Sequence, residues 1–169
     1  MKSLTTFFFI LPLLCIATAI NPEIVSLCEK SQNKAFCVAA LESDPVSQGQ
    51  KDLTSFGIIA IELAIKQAVK TTAQIKTLLQ NTTELDPAVE DGLRDCTDFY
   101  TDATAQLDDS LAALTANAYD DVMTWIKTAV KDAESCESSL GELSPLKQAN
   151  ANFKDYCNIN IVTASLIVA

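Results

Sequence analysis

Val89, Leu93, Cys96, Tyr100, Ala103, Leu107, Leu111 and Leu114 recur at intervals of three and four residues. That spacing places all eight on one face of a helix, and such a face is buried most simply against other helices. Val122, Ile126, Ala129, Ala133, Cys136 and Leu140 repeat the pattern downstream. Upstream, Leu53, Phe56, Ala60 and Ala64 lie beside Ile61, Ile65, Ala68, Ile75 and Leu79, a broader face that suits a helix with neighbours on two sides. Leu146, Ala149, Phe153, Cys157, Ile161, Ala164 and Val168 form a fourth stripe. Only four glycines interrupt a chain rich in Ala, Leu, Lys, Glu and Gln, so composition agrees with pattern.

Start signals divide these stripes into elements. Asn21-Pro22, Asp86-Pro87 and Ser144-Pro145 each set a capping side chain before a proline that a first helical turn tolerates. Asp44-Pro45 reads instead as a helix end, because the residue before proline is pushed out of the α region. Two short helices, 22–31 and 34–43, and four long ones follow, the first near 50–80 and the last near 145–167. The expected fold is all-α: an N-terminal α-hairpin over 20–45 and an up-down-up-down four-helix bundle over 50–168. The stretch 20–169 suffices for one core and shows no internal repeat or linker.

The first nineteen residues, MKSLTTFFFILPLLCIATA, have the lone Lys2, the apolar run and the Ala-Thr-Ala ending of a secretory signal peptide cut after Ala19. Of the six cysteines, Cys15 leaves with it, and Cys28, Cys37, Cys96, Cys136 and Cys157 enter an oxidising compartment as two disulfides and one thiol. Cys96 and Cys136 fall on the core stripes of consecutive helices. Bridging them closes a loop of about 40 residues and stabilises the fold by roughly 4 kcal/mol on chain-entropy grounds. Cys28 and Cys37 sit one on each short helix, and their bridge staples a hairpin too small to hold by packing. Cys157, on an apolar face, is expected to be a buried, unreactive thiol. Asn81-Thr82-Thr83 is a glycosylation sequon. The apolar end INIVTASLIVA is broken by Asn160, Thr163 and Ser165, which suits a buried helix end rather than a lipid-anchor signal.

With no histidine, the chain lacks Ser-His and Cys-His nucleophile pairs and the commonest metal ligand. No Gly-rich phosphate loop, Cys-x-x-Cys pair or zinc spacing is present, so no enzyme activity, cofactor or metal is expected. The formal charge of −10 becomes −11 once Lys2 is removed, which disfavours nucleic acid and anionic lipid and favours a basic protein partner. Asp95, Asp98, Asp102 and Asp109 form a line of acids, the last three opposite the buried stripe. Asp98 and Asp102 are like charges one turn apart, which costs a few tenths of a kcal/mol. Such a line is most simply a solvated helix face.

The signal peptide, the pair Cys28 and Cys37 with eight residues between them, the segment Leu41-Glu42-Ser43-Asp44-Pro45, and Cys96 and Cys136 forty positions apart with a fifth unpaired cysteine together resemble the plant invertase and pectin methylesterase inhibitor family. The resemblance covers essentially the whole mature chain. It departs where the family's Tyr-Pro before the second cysteine is replaced by Asn33-Lys34-Ala35-Phe36, and where Lys127-Thr128-Ala129 stands for a Ser-Ala-Ala run. It implies a four-helix bundle with an N-terminal α-hairpin, bridges joining first to second and third to fourth cysteines, and an inhibitor that binds over the substrate cleft of a cell-wall enzyme. Acidic and polar side chains of the family's helices engage that cleft, which by resemblance points to Asp98, Asp102 and Asp109, and to Thr124, Thr128 and Ser135 on the third long helix.

The target separates two branches. Invertase inhibitors carry a Pro-Lys-Phe motif where this chain has Tyr119-Asp120-Asp121, and Asp for Lys reverses the charge offered to a carboxylate-lined pocket. The segment NAYDDVMTW resembles the pectin methylesterase inhibitors more, which makes Tyr119 and Asp121 candidate contacts and pectin methylesterase the expected partner. The alternatives are an acid invertase inhibitor and a non-inhibitory secreted helical binding or structural protein. The expected location is the apoplast or cell wall, with the vacuole as alternative. A monomer or a weak dimer is expected, with no membrane association after signal removal.

Overall fold

The computed structural model describes residues 20–80 and 85–169. The signal-peptide segment and the Asn81 sequon lie outside the described residues. Among the described residues every regular element is helical: α1 (Pro22–Cys28), α2 (Lys34–Glu42), α3 (Leu53–Leu79), α4 (Pro87–Thr115), α5 (Tyr119–Leu140) and α6 (Lys147–Ile167), with 3₁₀ turns at Pro45–Gly49 and Gly141–Leu143. Helices α3 to α6 each pack on the next, and α6 closes onto α3.

Side-chain caps begin α1, α2, α3 and α4. Asn21 Oδ1 accepts from Glu23 N (3.0 Å), Asp52 Oδ1 from Ser55 N (2.8 Å) and Asp86 Oδ1 from Ala88 N (2.8 Å), each satisfying an orphan amide of the first turn. The amide and hydroxyl of Ser55 hold the Asp52 carboxyl below its usual range. Helix α4 ends in a Schellman arrangement: Asn117 takes a φ of 59°, its amide donates to Leu114 O (3.1 Å), and Ala118 N donates to Ala113 O (2.9 Å). Helix α5 ends at Gly141, whose φ of 64° suits glycine.

Three boundaries differ from the sequence expectation. Helix α1 stops at Cys28, where the bridge to Cys37 turns the chain back. Residues 45–49 form a 3₁₀ turn: Asp44 Oδ1 accepts from Val46 N (2.9 Å), and the buried Ser47 hydroxyl donates to Leu41 O and Asp44 O. Helix α6 starts at Lys147, because Ser144 does not cap an α-helix. Its hydroxyl donates to Glu137 Oε2 (2.8 Å) and accepts from Leu146 N (3.3 Å), so Pro145 belongs to the turn.

Two cores result. The larger fills the bundle with the four stripes, from Ile61 and Ala64 through Leu93, Tyr100, Leu107, Ile126 and Phe153. The smaller joins Ile24, Leu27 and Leu41 of the hairpin to Phe56, Ile59, Leu63 and Ile159 at one end of α3 and α6. Val168, placed on the fourth stripe by spacing, lies past the end of α6 and is exposed. The hairpin is further tied by Asn21 Nδ2, which donates to Ser47 O (3.0 Å) and Gln50 O (2.9 Å), and at its tip by Asn33 Nδ2 donating to Asp155 Oδ2 (3.0 Å). Disulfides join Cys28 to Cys37 and Cys96 to Cys136. Cys157 is free and fully buried, and burial pushes its thiol far above the usual range, so it offers no reactive thiolate.

Candidate functional site: the α4–α5 face

Helices α4 and α5 run antiparallel and are pinned to each other by Cys96–Cys136. At 3.6 residues per turn, the α5-facing flank of α4 carries Asp95, Asp102 and Gln106 and its outer edge Asp98 and Asp109, while the α4-facing flank of α5 carries Asp121, Thr124, Trp125, Thr128, Asp132 and Ser135. Across the seam Asp132 neighbours Gln106 and lies within the field of Asp102. Asp98, Asp102, Asp109, Asp121 and Thr124 are exposed, and Thr128 and Ser135 half-buried. The fold therefore brings these seven candidates to one surface. Tyr119 stands apart: its ring is packed partly into the bundle core and its hydroxyl donates to Asn117 Oδ1 (2.8 Å).

The electrostatics of this face are predominantly acidic. Its two helices contain three cations. Arg94 is held by Glu90 (2.6 Å) on the α3 side of α4, Lys127 lies on the outer arc of α5, and Lys131, seven residues beyond Thr124, shares the outer edge of the face. Thr124 Oγ1 donates to Asp120 O (2.9 Å) and Thr128 Oγ1 to Thr124 O (2.9 Å). Each hydroxyl proton is consumed by the helix's own backbone, so the threonines turn acceptor lone pairs outward beside the aspartates. The one large apolar group among them is Trp125, 37% exposed.

Asp132, Gln106 and Trp125 were missing from the sequence-derived set. Asp132 is three residues beyond Ala129 on the core stripe, so its spacing resembled an ordinary flank. Its burial depends on a facing helix and leaves no mark in the local sequence. That burial raises the Asp132 carboxyl above the usual aspartate range; a hydrogen bond with Gln106 pulls it back and the charge of Asp102 pushes it further up. Among the described residues no group of three or more His, Cys, Asp or Glu could hold a metal, and no helix is long and apolar enough to cross a membrane.

Residues 22–162 match the family described as "Plant invertase/pectin methylesterase inhibitor". The chain belongs to that family. It is 32% identical over 152 residues to a protein of Actinidia deliciosa named "Pectinesterase inhibitor", spanning 87% of this chain and 80% of the relative. It is 30% identical over 164 residues to a Platanus orientalis protein named "Putative invertase inhibitor", spanning 90% and 93%. A crystal structure of a mutant form of a pectin methylesterase inhibitor from Arabidopsis superposes with a TM-score of 0.73 at 20% identity, covering 85% of this chain and 96% of that one, so the fold is shared.

Proposed function

We propose that this inhibitor-family protein blocks a pectin methylesterase by seating the α4–α5 face over the substrate cleft, with no reaction of its own. The observation that carries this reading is the rigid, disulfide-pinned surface on which Asp98, Asp102, Asp109 and Asp121 converge with the outward acceptors of Thr124 and Thr128. Such a surface complements the Lys and Arg donors of a basic enzyme and repels a carboxylate-lined pocket. The charge of −10 adds long-range steering toward a basic target. Secretion to the apoplast, after cleavage following Ala19, places inhibitor and cell-wall enzyme together; amino-terminal sequencing of the mature protein tests that part.

Acid invertase is the second reading, favoured by the similarity to the Platanus orientalis protein. Its contact would be the start of α5 at Tyr119, Asp120 and Asp121. The deciding experiment titrates the disulfide-intact mature chain against a basic plant pectin methylesterase and, in parallel, an acid invertase at mildly acidic pH and two salt concentrations. Stoichiometric loss of methylesterase activity that weakens with salt supports the proposal; loss of invertase activity alone overturns it in favour of the second reading.

A further inference from the structure

Trp125 is the chain's only tryptophan, and it is 37% exposed although indole carries a large apolar surface. Its position follows from spacing. It stands seven residues before Asp132, and seven residues complete almost two turns, so the two share the arc of α5 that meets Gln106 across the seam. The register of the seam is set by Cys96–Cys136 and by Gly92, which packs against Ser139 and Leu140. Trp125 lies eleven residues before Cys136, and in an antiparallel pair that is level with Leu107, eleven beyond Cys96. Side chains of a helix tilt toward its N-terminus, which carries the indole on toward the level of Asp109, at the outer edge of α4.

On α5 itself the residues one turn away along this arc are Asp121 and Thr128. Thr128 has already given its hydroxyl proton to Thr124 O, so it turns lone pairs outward. The indole is therefore rimmed by two exposed carboxylates, Asp109 and Asp121, and by an acceptor hydroxyl. The cations of the same helix, Lys127 and Lys131, lie on its outer arc and edge. Among the described residues the stacked rings are Phe36 with Tyr156 and Tyr100 with Phe153, and Trp125 belongs to neither pair. An exposed π face set between carboxylates suits a cation: the ring attracts the charge from below while the carboxylates attract it from the side.

We propose that Trp125 is the affinity-determining residue of the α4–α5 face, and that it receives an Arg or Lys side chain of the target enzyme on its indole, with Asp109 and Asp121 pairing the same charge from the rim. The inference rests on the reading of this face as the methylesterase contact and names the residue within it that holds the enzyme. Roles then divide by range. The exposed aspartates act at a distance, are screened by salt, and govern how fast a basic enzyme is captured. The indole acts only at contact, where water is expelled, and governs how long the complex lasts.

The test compares inhibition of a basic plant pectin methylesterase by the intact mature protein and two variants whose helicity and Tm are matched to it by circular dichroism. Trp125→Leu keeps an apolar side chain but removes the π system, and is expected to weaken inhibition about tenfold. Trp125→Phe keeps a ring and is expected to cost only about threefold. A second measurement needs no substitution. Because the chain has one tryptophan, fluorotryptophan labelling gives a single fluorine resonance, expected to shift when one equivalent of unlabelled enzyme is added. If the unlabelled wild type inhibits the enzyme, then inhibition by Trp125→Leu equal to the wild type's, equal losses in the Leu and Phe variants, or an unmoved resonance in the inhibited mixture each overturns this inference and leaves the reading of the face in place. Failure of the wild type to inhibit overturns both.

Discussion

Tyr100 and Asn150 meet in the middle of the bundle, the phenolic Oη donating to Asn150 Oδ1 across 2.8 Å at a site where both residues are almost wholly buried. Asn150 Nδ2 donates in turn to Glu137 Oε2, which also accepts from Ser144, so one chain of hydrogen bonds ties α4, α6, α5 and the turn before α6. The Tyr100 ring packs edge-on against Phe153 with centroids 5.4 Å apart. Burial pushes the Tyr100 hydroxyl well above its usual range, which keeps it a donor at every physiological pH. Tyr100→Phe is expected to destabilise the protein by about 1–3 kcal/mol, since it leaves a buried carbonyl oxygen unpaired. Adding Asn150→Leu is expected to cost less than the sum of the single changes, and a denaturation double-mutant cycle measures the difference.

Gly92 packs tightly against the C-terminal turn of α5. A Cβ built there would stand 2.8 Å from Ser139 O and 3.0 Å from Leu140 Cδ2, and the first of these is backbone. Gly92→Ala is expected to cost about 1–3 kcal/mol by forcing the helices apart, despite the better helix propensity of alanine. At Gly57 a Cβ would meet only side chains, Leu114 Cδ2 at 3.0 Å and Thr163 Cγ2 at 3.5 Å, so Gly57→Ala is expected to be the milder change. Urea midpoints of the two variants check the order.

Asp132 is the carboxyl on the α4–α5 face whose folded-state pKa is raised. The folded protein holds that proton more tightly than the unfolded chain, so stability falls as pH rises from the ordinary aspartate value, about 3.9, through the raised folded value, and the penalty is complete above it. Asp132→Asn removes the penalty: it is expected to raise Tm slightly at neutral pH, with the gain vanishing at acid pH. Calorimetric scans across that range report the sign directly.

Asp98→Lys or Asp102→Lys adds a cation to a predominantly acidic face. Each is expected to weaken inhibition of a basic pectin methylesterase about 10–100-fold, through loss of an attraction and addition of a like charge opposite the enzyme's own. The salt dependence of inhibition should flatten in parallel. Activity titrations of the purified variants read both effects.

Much of this arrangement was legible in the sequence, because a stripe such as Val122, Ile126, Ala129, Ala133, Cys136 and Leu140 encodes burial locally: all six are buried. Cys96, Cys136 and Cys157 were legible for the same reason, each lying on a face that the period defines. What escaped were groups whose role depends on a distant element. Asn150 and Thr163 are nearly fully buried on α6, yet polar residues at these positions look like solvent-facing ones until a Tyr100 or a backbone carbonyl meets them. Asn21 reads as a cap, and is one, but its amide also holds the turn at Ser47 and Gln50, contacts set by how the hairpin folds back. Asp132 belongs to the same class.

The back-bonded hydroxyls of Thr124 and Thr128 also bear on how the protein meets its own copies. A surface whose aspartates and threonines offer only lone pairs has little with which to bind itself: two molecules brought together through α4 and α5 would set carboxylate against carboxylate and acceptor against acceptor. Self-association through these carboxylates and threonines is therefore expected to be weak. Association through that side is then expected to call for a protein rich in hydrogen-bond donors.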